Sequence, residues 1–417
     1  MHERGKRPVR SLYLCYFGIE QPLVRTQVLP YLRELAAGGV ERTILTFEPR
    51  VDARWRRDVE PSWRARLAAE GIRWEWLRYH KHPTVPATAY DVIRGAWRAR
   101  QIVRHERTDI LHARSHVACV MGALVKRATG ARLVFDIRGF MAEEYVDGGV
   151  WPAGGLLFRG TKRVERTLLG LADGIVVLTE RGRDVLFGPG GRAEDAPVEV
   201  IPCCVDLARF SPADDAGRAA AKARLGFDGR RVIVQIGAVG GWVPTDEMAD
   251  VIAAACARDP RTAALILTHA PSSALASALQ ARGIGPDRCV IRAADPEEVP
   301  AYLHAADVGL ALYKPGAAKA ATSPTKFAEY LASGLPVFAS GDVGDMDAFI
   351  AADRTGVVLS SSSPEAIGQA WARMEELERD PDTRQRCRRS AETRFHLQDV
   401  AGVRYRRLYE RVLERGA

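Results

Sequence analysis

The chain has no long apolar run, because no stretch approaches the ~18 to 20 apolar residues that span a bilayer. Its start, Met-His-Glu-Arg-Gly-Lys-Arg-Pro, also lacks the apolar core of a signal peptide. Cysteine is scarce, with seven residues scattered over 417 positions. The adjacent Cys203 and Cys204 have no partner pair at CxxC spacing, so the pattern suggests neither a disulfide framework nor a zinc site. We therefore expect a cytoplasmic protein whose cysteines are reduced and mostly buried.

The signatures of nucleic-acid binding are also missing. The formal net charge is +8 and comes from many arginines. Such a balance suits nucleic acid, an anionic membrane surface or an anionic substrate, and it is also typical of an arginine-rich proteome. No zinc-finger spacing, leucine-zipper heptad or RNA-binding aromatic motif accompanies the charge, so we expect no nucleic-acid partner. With 47% hydrophobic and 27% charged residues over 417 positions, the chain predicts two globular domains.

Short apolar runs alternate with helical patterns along the chain, which is typical of α/β domains with parallel sheets. In the first half, strands are predicted at 11–17, 42–47, 110–114, 132–137 and 173–179. The loop after the first of these strands contains Gly18 and Arg25, and it lies where such folds bind ligands. It has no GxGxxG pattern, which argues against a dehydrogenase.

Polar residues follow two neighbouring strands of the first half. Asp136 and Arg138 end the strand at 132–137, Glu143 and Glu144 come next, and His116 follows the strand at 110–114. Because the carboxyl ends of parallel strands meet at one edge of a sheet, we expect these residues to line a cleft. The alternative for His116 is a helix cap or a packed residue.

A basic and aromatic segment occupies residues 55–82. Its surface could lie on anionic lipid headgroups or grip a lipid-linked acceptor. The alternative, which we prefer, is that its tryptophans pack inward while its arginines are solvated. The tryptophans are Trp55, Trp63, Trp74 and Trp76.

The second half begins a new series of strands and helices, with strands predicted at 231–236, 264–268, 289–292 and 308–313. The first of them leads into a turn that contains Gly237, Gly240 and Gly241, followed by a helix at 245–257. A glycine-rich turn between a strand and a helix lets backbone amides approach phosphates closely. Such turns also serve ordinary packing, so the signal is weak by itself.

A short helix is predicted after residue 323, with Ser323 or Thr325 as its cap. Lys326 in its first turn adds a full positive charge to the helix N-terminus, which suits a phosphate or diphosphate. Glu329 lies one turn later, where its carboxylate can accept hydrogen bonds from two sugar hydroxyls. The alternative is a surface ion pair between Lys326 and Glu329. Gly334 provides the left-handed end of the helix.

Three stretches, at 172–180, 198–212 and 323–340, resemble the GT-B glycosyltransferases, especially the retaining enzymes of family 4. The resemblance covers nearly the whole chain. It implies two Rossmann-like, doubly wound α/β domains facing a cleft, at 1–203 for the acceptor and 204–395 for a nucleotide-sugar. A terminal helix at 396–417 would cross back to the first domain.

The resemblance also assigns residues to roles. Family members carry two glutamates in the nucleotide-sugar signature; the second matches Glu329, whereas the first falls on Ala321. Their arginine and lysine after the glycine-rich turn are absent here, where Trp242 to Pro244 stand, so Lys326 would carry more of the diphosphate's charge. Ala294 would lie near the nucleobase, and Gly18 and Arg25 would lie under the donor phosphates.

We therefore expect glycosyl transfer from a nucleoside diphosphate sugar to a hydroxyl of a glycan, lipid-linked or small-molecule acceptor, with retention and without metal or other cofactor. Asp136, Arg138 and Glu143 or Glu144 would orient the sugar or the acceptor. The enzyme would serve polysaccharide or glycoconjugate synthesis, with a peripheral contact at the inner face of the membrane as one option. The first alternative is a GT-B epimerase or inverting transferase that uses His116 or Asp136 as base. The second is a non-catalytic scaffold.

Overall fold

The computed structural model describes residues 7–189 and 196–415. The chain divides into two compact units, one formed by Met1–Ile201 with Leu397–Ala417 and the other by Pro202–His396. Each unit is a parallel sheet covered by helices. Within the described ranges, no helix is both long and apolar enough to cross a membrane.

The sheet of the first unit has seven strands in the described residues, in the order β3-β2-β1-β4-β5-β6-β7. Each strand pairs with its neighbours in parallel, for example Ser11 with Ile110 and Tyr13 with Ile44. The strands are almost completely buried because helices cover both faces of a parallel sheet. Their bounds are β1 Arg10–Cys15, β2 Glu41–Glu48, β3 Ile72–Arg78, β4 Ile110–Arg114, β5 Arg132–Asp136, β6 Gly174–Val177 and β7 Val198–Val200.

The helices of the first unit lie on two sides of this sheet. Connections that advance from β3 towards β7 run in one direction along the sheet, and those from β1 to β3 run in the other. Because parallel crossovers are right-handed, the two groups of helices cover opposite faces. The first group is α4 Thr84–Glu106, α5 Ser115–Thr129, α6 Met141–Asp147, α7 Leu156–Leu171 and α8 Glu180–Phe187. The second is α1 Pro22–Gln27, α2 Leu29–Ala37, a π-helical turn Trp55–Val59 and α3 Glu60–Ala69.

The C-terminal segment completes the first unit. A π-helical stretch at Leu397–Gly402 packs against α2 and leads into α17, Val403–Glu414. The helix α17 packs against β6 and β7, and its apolar side, which includes Tyr405 and Leu408, is buried. The last helix of the chain thus belongs to the first sheet, as the GT-B resemblance implied.

The second unit has six strands in its described part, in the order β10-β9-β8-β11-β12-β13. They are β8 Arg231–Ile236, β9 Thr262–Leu267, β10 Cys289–Arg292, β11 Val308–Ala311, β12 Val337–Ser340 and β13 Gly356–Leu359. The helices are α9 Asp215–Arg224, α10 Thr245–Arg258, α11 Ser273–Ala281, α12 Val299–Leu303, α13 Thr325–Ala332, α14 Met346–Asp353, α15 Pro364–Arg379 and α16 Thr383–Phe395, with a 3-10 turn at Ala317–Ala321. The two parallel sheets confirm the predicted α/β fold.

The sequence-based segments differ from the structure in instructive places. Between β1 and β2 the chain forms two short helices, α1 and α2, because Pro30 lacks the N–H that a continuous helix needs. The prediction of a Ser323 or Thr325 cap is wrong: Pro324 is the cap residue, and no side chain caps α13. Ser323 Oγ instead accepts a hydrogen bond from the Cys203 amide at 3.1 Å.

Two other expectations hold. The seven cysteines are present as thiols rather than disulfides, and six are buried. In the segment 55–82, Trp55 and Trp74 are buried and pack edge to face, with ring centroids 6.1 Å apart. Arginines lie over the tryptophan rings, as Arg64 does over Trp74 at 5.7 Å, so this segment packs inward as preferred.

The hydroxyl of Tyr330 connects α13 to the sheet beneath it. Ile236 N of β8 donates to this oxygen at 3.0 Å, and the hydroxyl lies 3.3 Å from Leu310 O of β11. The ring fits only because position 309 is glycine, since a Cβ there would lie 2.4 Å from the Tyr330 ring. These contacts of the hydroxyl fix the position of α13 relative to the carboxyl ends of β8 and β11.

We expect Tyr330→Phe to lower the stability of the second unit by about 1–3 kcal/mol, because the buried Ile236 N–H loses its acceptor. Urea unfolding followed by circular dichroism measures the midpoint. Tyr302→Phe, which removes an unbonded hydroxyl in the same unit, is the matched control. Equal midpoints for the two variants would contradict the role of this hydroxyl.

Candidate functional site

In the second unit, Lys326 and Glu329 lie at the edge of the buried side of α13. On the helix surface Lys326 borders Tyr330, and both Lys326 and Glu329 lie on the far side from Leu331. Both side chains are half-buried. Lys326 Nζ lies 5.1 Å from the centroid of the Tyr313 ring. Within the described residues, neither charged group forms an ion pair, so the alternative of a surface pair between them is wrong.

The pKa values of Lys326 and Glu329 are both shifted, and each group influences the pKa of the other. Burial lowers the pKa of Lys326 to about 7, with the Glu329 carboxylate opposing the shift. Burial raises the pKa of Glu329 to about 7, against the opposing effect of Arg209 and Lys326. Two ionisable groups are thus held partly out of water without a direct ion-pair partner in the described residues. Such an arrangement is typical of residues whose partner is a ligand.

The glycine-rich turn between β8 and α10 needs its glycines for backbone conformation. Gly237, Gly240 and Gly241 have positive φ angles of 92°, 77° and 60°. An added Cβ at Gly237 or Gly241 would meet nothing within 4 Å. The space beside the turn is therefore open, and the left-handed backbone directs successive amides towards it.

A buried lysine that sequence reasoning missed lies beside this turn. Lys319 is in the 3-10 turn before α13, and its Nζ lies 4.1 Å from the centroid of the Trp242 ring. Ala321, at the position of the missing first glutamate, is buried and brings no polar group. The signal available in the sequence was a lysine among small residues one turn before the signature helix.

Ala294 lies in the loop after β10 and is buried. His269 Nε2 lies 2.9 Å from the Ala294 carbonyl oxygen, so this nitrogen donates to it. The Ala294 carbonyl oxygen thus already accepts one hydrogen bond from the protein, and His269 is exposed at this position.

In the first unit, Asp136 is fully buried at the carboxyl end of β5 and surrounded by cations. Arg138 Nη1 lies 3.6 Å from Asp136 Oδ1, and Arg114 Nη1 lies 4.0 Å from Oδ2. Both arginines donate to Gln27 Oε1, Arg114 at 2.8 Å and Arg138 at 3.0 Å. The structure thus brings the first βα loop and the ends of β4 and β5 to one place, as the parallel arrangement predicted.

His112, on β4, is a further buried polar residue of this cluster. Its Nε2 lies 3.5 Å from Asp136 Oδ2, and its Nδ1 lies 2.9 Å from the Tyr409 hydroxyl. The Tyr405 hydroxyl donates to Asp136 Oδ2 at 3.3 Å. Burial opposes ionisation of Asp136, but Arg138 and His112 outweigh it and hold the pKa of this carboxyl below its usual range. Burial lowers the pKa of His112.

His116 belongs to a different cluster. Its Nε2 lies 2.9 Å from Glu165 Oε2 on α7, and both side chains are buried. Lys162 contacts Glu165 and also Glu143, whose Oε1 lies 2.9 Å from Nζ. The structure therefore places His116 and Glu143 with α7. The packed alternative for His116 agrees with these contacts.

Glu144 and Gly18, two further predicted residues of the first unit, lie close to neighbouring atoms. A Cβ at Gly139 would lie 2.3 Å from Glu144 Oε1, so this carboxylate sits directly on the loop that carries Arg138. A Cβ at Gly18 would lie 2.8 Å from Glu48 Oε2. Burial raises the pKa of Glu48 to about 7. Arg25, in the last turn of α1, is half-buried.

Sequence reasoning located the ends of β4 and β5 but did not select all the groups that meet there. The missed residues are Tyr405 and, in the second unit, Tyr313 and Arg209. Tyr405 had no local signal, since it is distant in the chain from Asp136. Across residues 7–189 and 196–415, no group of three His, Cys, Asp or Glu side chains forms a metal-ligand set.

Comparisons with known proteins identify the class. A sequence model described as "Glycosyl transferase 4-like domain" matches residues 24–204, and one described as "Glycosyl transferases group 1" matches residues 219–394. No curated protein matches the chain in sequence.

Solved structures resemble the chain over nearly its whole length. Sucrose-phosphate synthase from Thermosynechococcus elongatus has a TM-score of 0.70 at 16% identity, with 96% of this chain and 99% of that chain covered. A glycosyltransferase from Rickettsia africae has a TM-score of 0.72 at 13% identity, over 98% and 100%. Anabaena HepE, in complex with UDP and glucose, has a TM-score of 0.69 at 15% identity, over 96% and 100%.

The chain belongs to the glycosyltransferases of the GT-B fold. It is therefore an enzyme of sugar transfer, and the scaffold alternative is set aside.

We expect Asp136→Asn to destabilise the first unit by about 3–5 kcal/mol, because Arg114 and Arg138 keep their buried charges without a carboxylate. The folded pKa of Asp136 is depressed, so its contribution is present above its usual pKa and lost as pH falls through the folded value. Urea midpoints at pH 7 and pH 3 measure both effects. The exposed substitution Glu410→Gln on α17 is the control. A pH 7 midpoint for Asp136→Asn that matches this control would contradict the analysis.

Proposed function

We propose that this glycosyltransferase uses a nucleoside diphosphate sugar as donor and binds it with the second unit. The observation that carries the proposal is the pair Lys326 and Glu329, which are half-buried at the carboxyl edge of a parallel sheet and form no ion pair within the described residues. A diphosphate would supply the charge that Lys326 lacks, and two ribose hydroxyls would supply the donors that Glu329 lacks. The HepE complex with UDP and glucose makes a uridine nucleotide the first donor to test.

The same groups would serve catalysis. As the glycosidic bond breaks, negative charge develops on the leaving diphosphate. Lys326, the amides of the turn at Gly240 and Gly241, and the uncapped first turn of α13 are positioned to stabilise that charge. These groups provide positive potential from the protein itself, and we propose that the reaction proceeds without a metal ion.

We propose retention of configuration, with the leaving phosphate accepting the proton of the acceptor hydroxyl. Support comes from the first unit, where the candidate bases Asp136 and His116 are buried and paired with charged groups. Asp136 is held ionised by two arginines, and His116 is buried against Glu165. Both side chains are buried, so neither is exposed to an acceptor from solution, and this burial is the support for our proposal of retention over an epimerase or an inverting transferase. Arg138, on the loop after β5, and Glu144, in the first turn of α6, are the residues proposed to orient the sugar or the acceptor.

The acceptor would be a hydroxyl compound, which we expect to be a glycan, a lipid-linked sugar or a small molecule used in polysaccharide or glycoconjugate synthesis. Calorimetry of the full chain against UDP, GDP, dTDP, ADP and their sugars, with and without EDTA, identifies the donor class. Saturable binding of one nucleotide that EDTA leaves unchanged is the expected result. If none of these nucleotides binds, the donor assignment fails.

Glu329→Gln should weaken nucleotide binding by about 1–3 kcal/mol, because a charged acceptor of two hydroxyl hydrogen bonds becomes a neutral amide. The dissociation constant from calorimetry is the readout. Glu365→Gln, an exposed substitution on α15 of the same unit, is the matched control and should bind like the parent. An unchanged affinity for Glu329→Gln would remove this carboxylate from the site.

Binding of the nucleotide should take up protons above pH 7. In the free protein the pKa of Lys326 is about 7, so the amine is mostly neutral at pH 8. A bound diphosphate favours the ammonium form and raises this pKa. Calorimetry at pH 8 in two buffers of different ionisation enthalpy measures the uptake. The uptake should disappear in Lys326→Met and persist in Lys81→Met. Uptake that persists in Lys326→Met would place the titrating group elsewhere.

A further inference from the structure

The outer face of α4, α5 and α7 in the first unit is unusually apolar for a helical surface. Ile93 is 66% exposed, Trp97 58% and Leu156 81%. On α4 the residues Tyr90, Ile93 and Trp97 recur at i, i+3 and i+7, so they form one stripe along the helix. The large exposed hydrophobic residues of these three helices are Val85, Tyr90, Ile93, Trp97, Leu124, Leu156, Leu157 and Val164.

The charges of this face have one sign. The carboxylates within α4, α5 and α7 are Asp91, Glu106 and Glu165. Asp91 and Glu165 are buried, and Glu106 is 14% exposed and paired with Arg73. No carboxylate of these helices therefore faces solvent freely. The exposed cations are Arg94, Arg100, Arg104, Arg127, Arg159, Arg163 and Arg166.

Several arginines of this face have no counter-charge in the described residues. Arg100 and Arg104 on α4, and Arg159 and Arg163 on α7, are among those that form no ion pair and no side-chain hydrogen bond there. Some arginines elsewhere in the unit are neutralised, as Arg407 is by Glu199. The positive charge of this face is thus available to an outside partner.

The three helices form one continuous layer. α4 packs against α5, and α5 packs against α7. Their right-handed connections put all three on the same side of the sheet. On the opposite side, α17 carries the exposed acids Glu410 and Glu414. The basic and apolar composition is therefore a property of these three helices.

We propose that this α4–α5–α7 face docks on an anionic lipid bilayer. Arginines would contact lipid phosphates, while Ile93, Trp97 and Leu156 would enter the boundary between headgroups and acyl chains. Burial of these side chains in that boundary removes apolar area that folding left in water. The helices lie on the bilayer in this arrangement and do not cross it.

The apolar residues favour lipid over nucleic acid. Sites for single-stranded nucleic acid combine cations with aromatic rings that stack on bases. Here most of the exposed apolar side chains are aliphatic, such as Val85, Leu157 and Val164, and these have no flat face for stacking. An aliphatic surface with arginines matches hydrocarbon next to phosphate. The proposal concerns lipid binding alone and does not depend on the donor.

The test is flotation of the full chain with vesicles of phosphatidylcholine alone or with 30% phosphatidylglycerol. The parent protein should bind the anionic vesicles at least tenfold more strongly than the neutral ones. Ile93→Ser with Trp97→Ser, and separately Arg100→Glu with Arg163→Glu, should each weaken binding about tenfold or more. All four positions are exposed, so circular dichroism and thermal unfolding should stay like the parent.

Matched controls distinguish the contribution of this face to vesicle binding from the effects of the protein's total charge and total hydrophobicity. Arg373→Glu with Arg389→Glu changes the net charge equally at exposed positions of α15 and α16, and Val403→Ser removes an exposed apolar residue of α17. These controls should bind within twofold of the parent.

Three results would overturn the proposal. The first is no preference of the parent for anionic vesicles, and the second is equal loss in the control variants. The third is tighter binding to a 20-nucleotide single strand at the same salt concentration, lost in the face variants, which would assign the face to nucleic acid. Nucleotide binding measured on the same variants keeps this outcome separate from that of the donor proposal.

Discussion

The second unit depends on one buried hydroxyl. Tyr330 accepts from the Ile236 amide at the end of β8 and reaches the Leu310 carbonyl of β11, and glycine at position 309 makes room for its ring. This contact holds α13 against two strand ends while the helix keeps Lys326 and Glu329 at the margin of its buried side. The charged pair is therefore positioned by a neutral, fully satisfied contact, and its own polar atoms remain available.

The two units treat buried charge in opposite ways. In the first unit, Asp136 is neutralised by Arg114 and Arg138 and is hydrogen-bonded to Tyr405, so its pKa falls. In the second, Lys326 and Glu329 form no ion pair within the described residues, and burial moves the pKa of each to about 7. The first arrangement pairs its buried carboxylate with arginines of the same unit. The second leaves both charged groups without a direct ion-pair partner, which is why we propose donor binding for the second unit.

The first unit also has two different outer surfaces on one sheet. One is the α4–α5–α7 face, with exposed aliphatic side chains and arginines that lack counter-charges. The other includes α17, whose surface mixes arginines with Glu410 and Glu414. Packing on the sheet requires only that the inner side of each helix be apolar. The outer composition is thus free of folding constraints, and its asymmetry is evidence for a partner on one side.

The sequence by itself determined the local elements and the class of protein. Strands such as 110–114, 231–236 and 289–292 agree with β4, β8 and β10 because continuous apolar runs mark buried parallel strands. The signature helix with Lys326 and Glu329 was visible because its residues are close in the chain. Only the tertiary structure decided which distant groups meet. Tyr405 contacts Asp136 although the two residues are far apart in sequence, and Lys319 lies over Trp242. These contacts form because segments that are distant in the chain pack together around one sheet. Such contacts leave no periodic signal, since they depend on the order of strands and on helix packing.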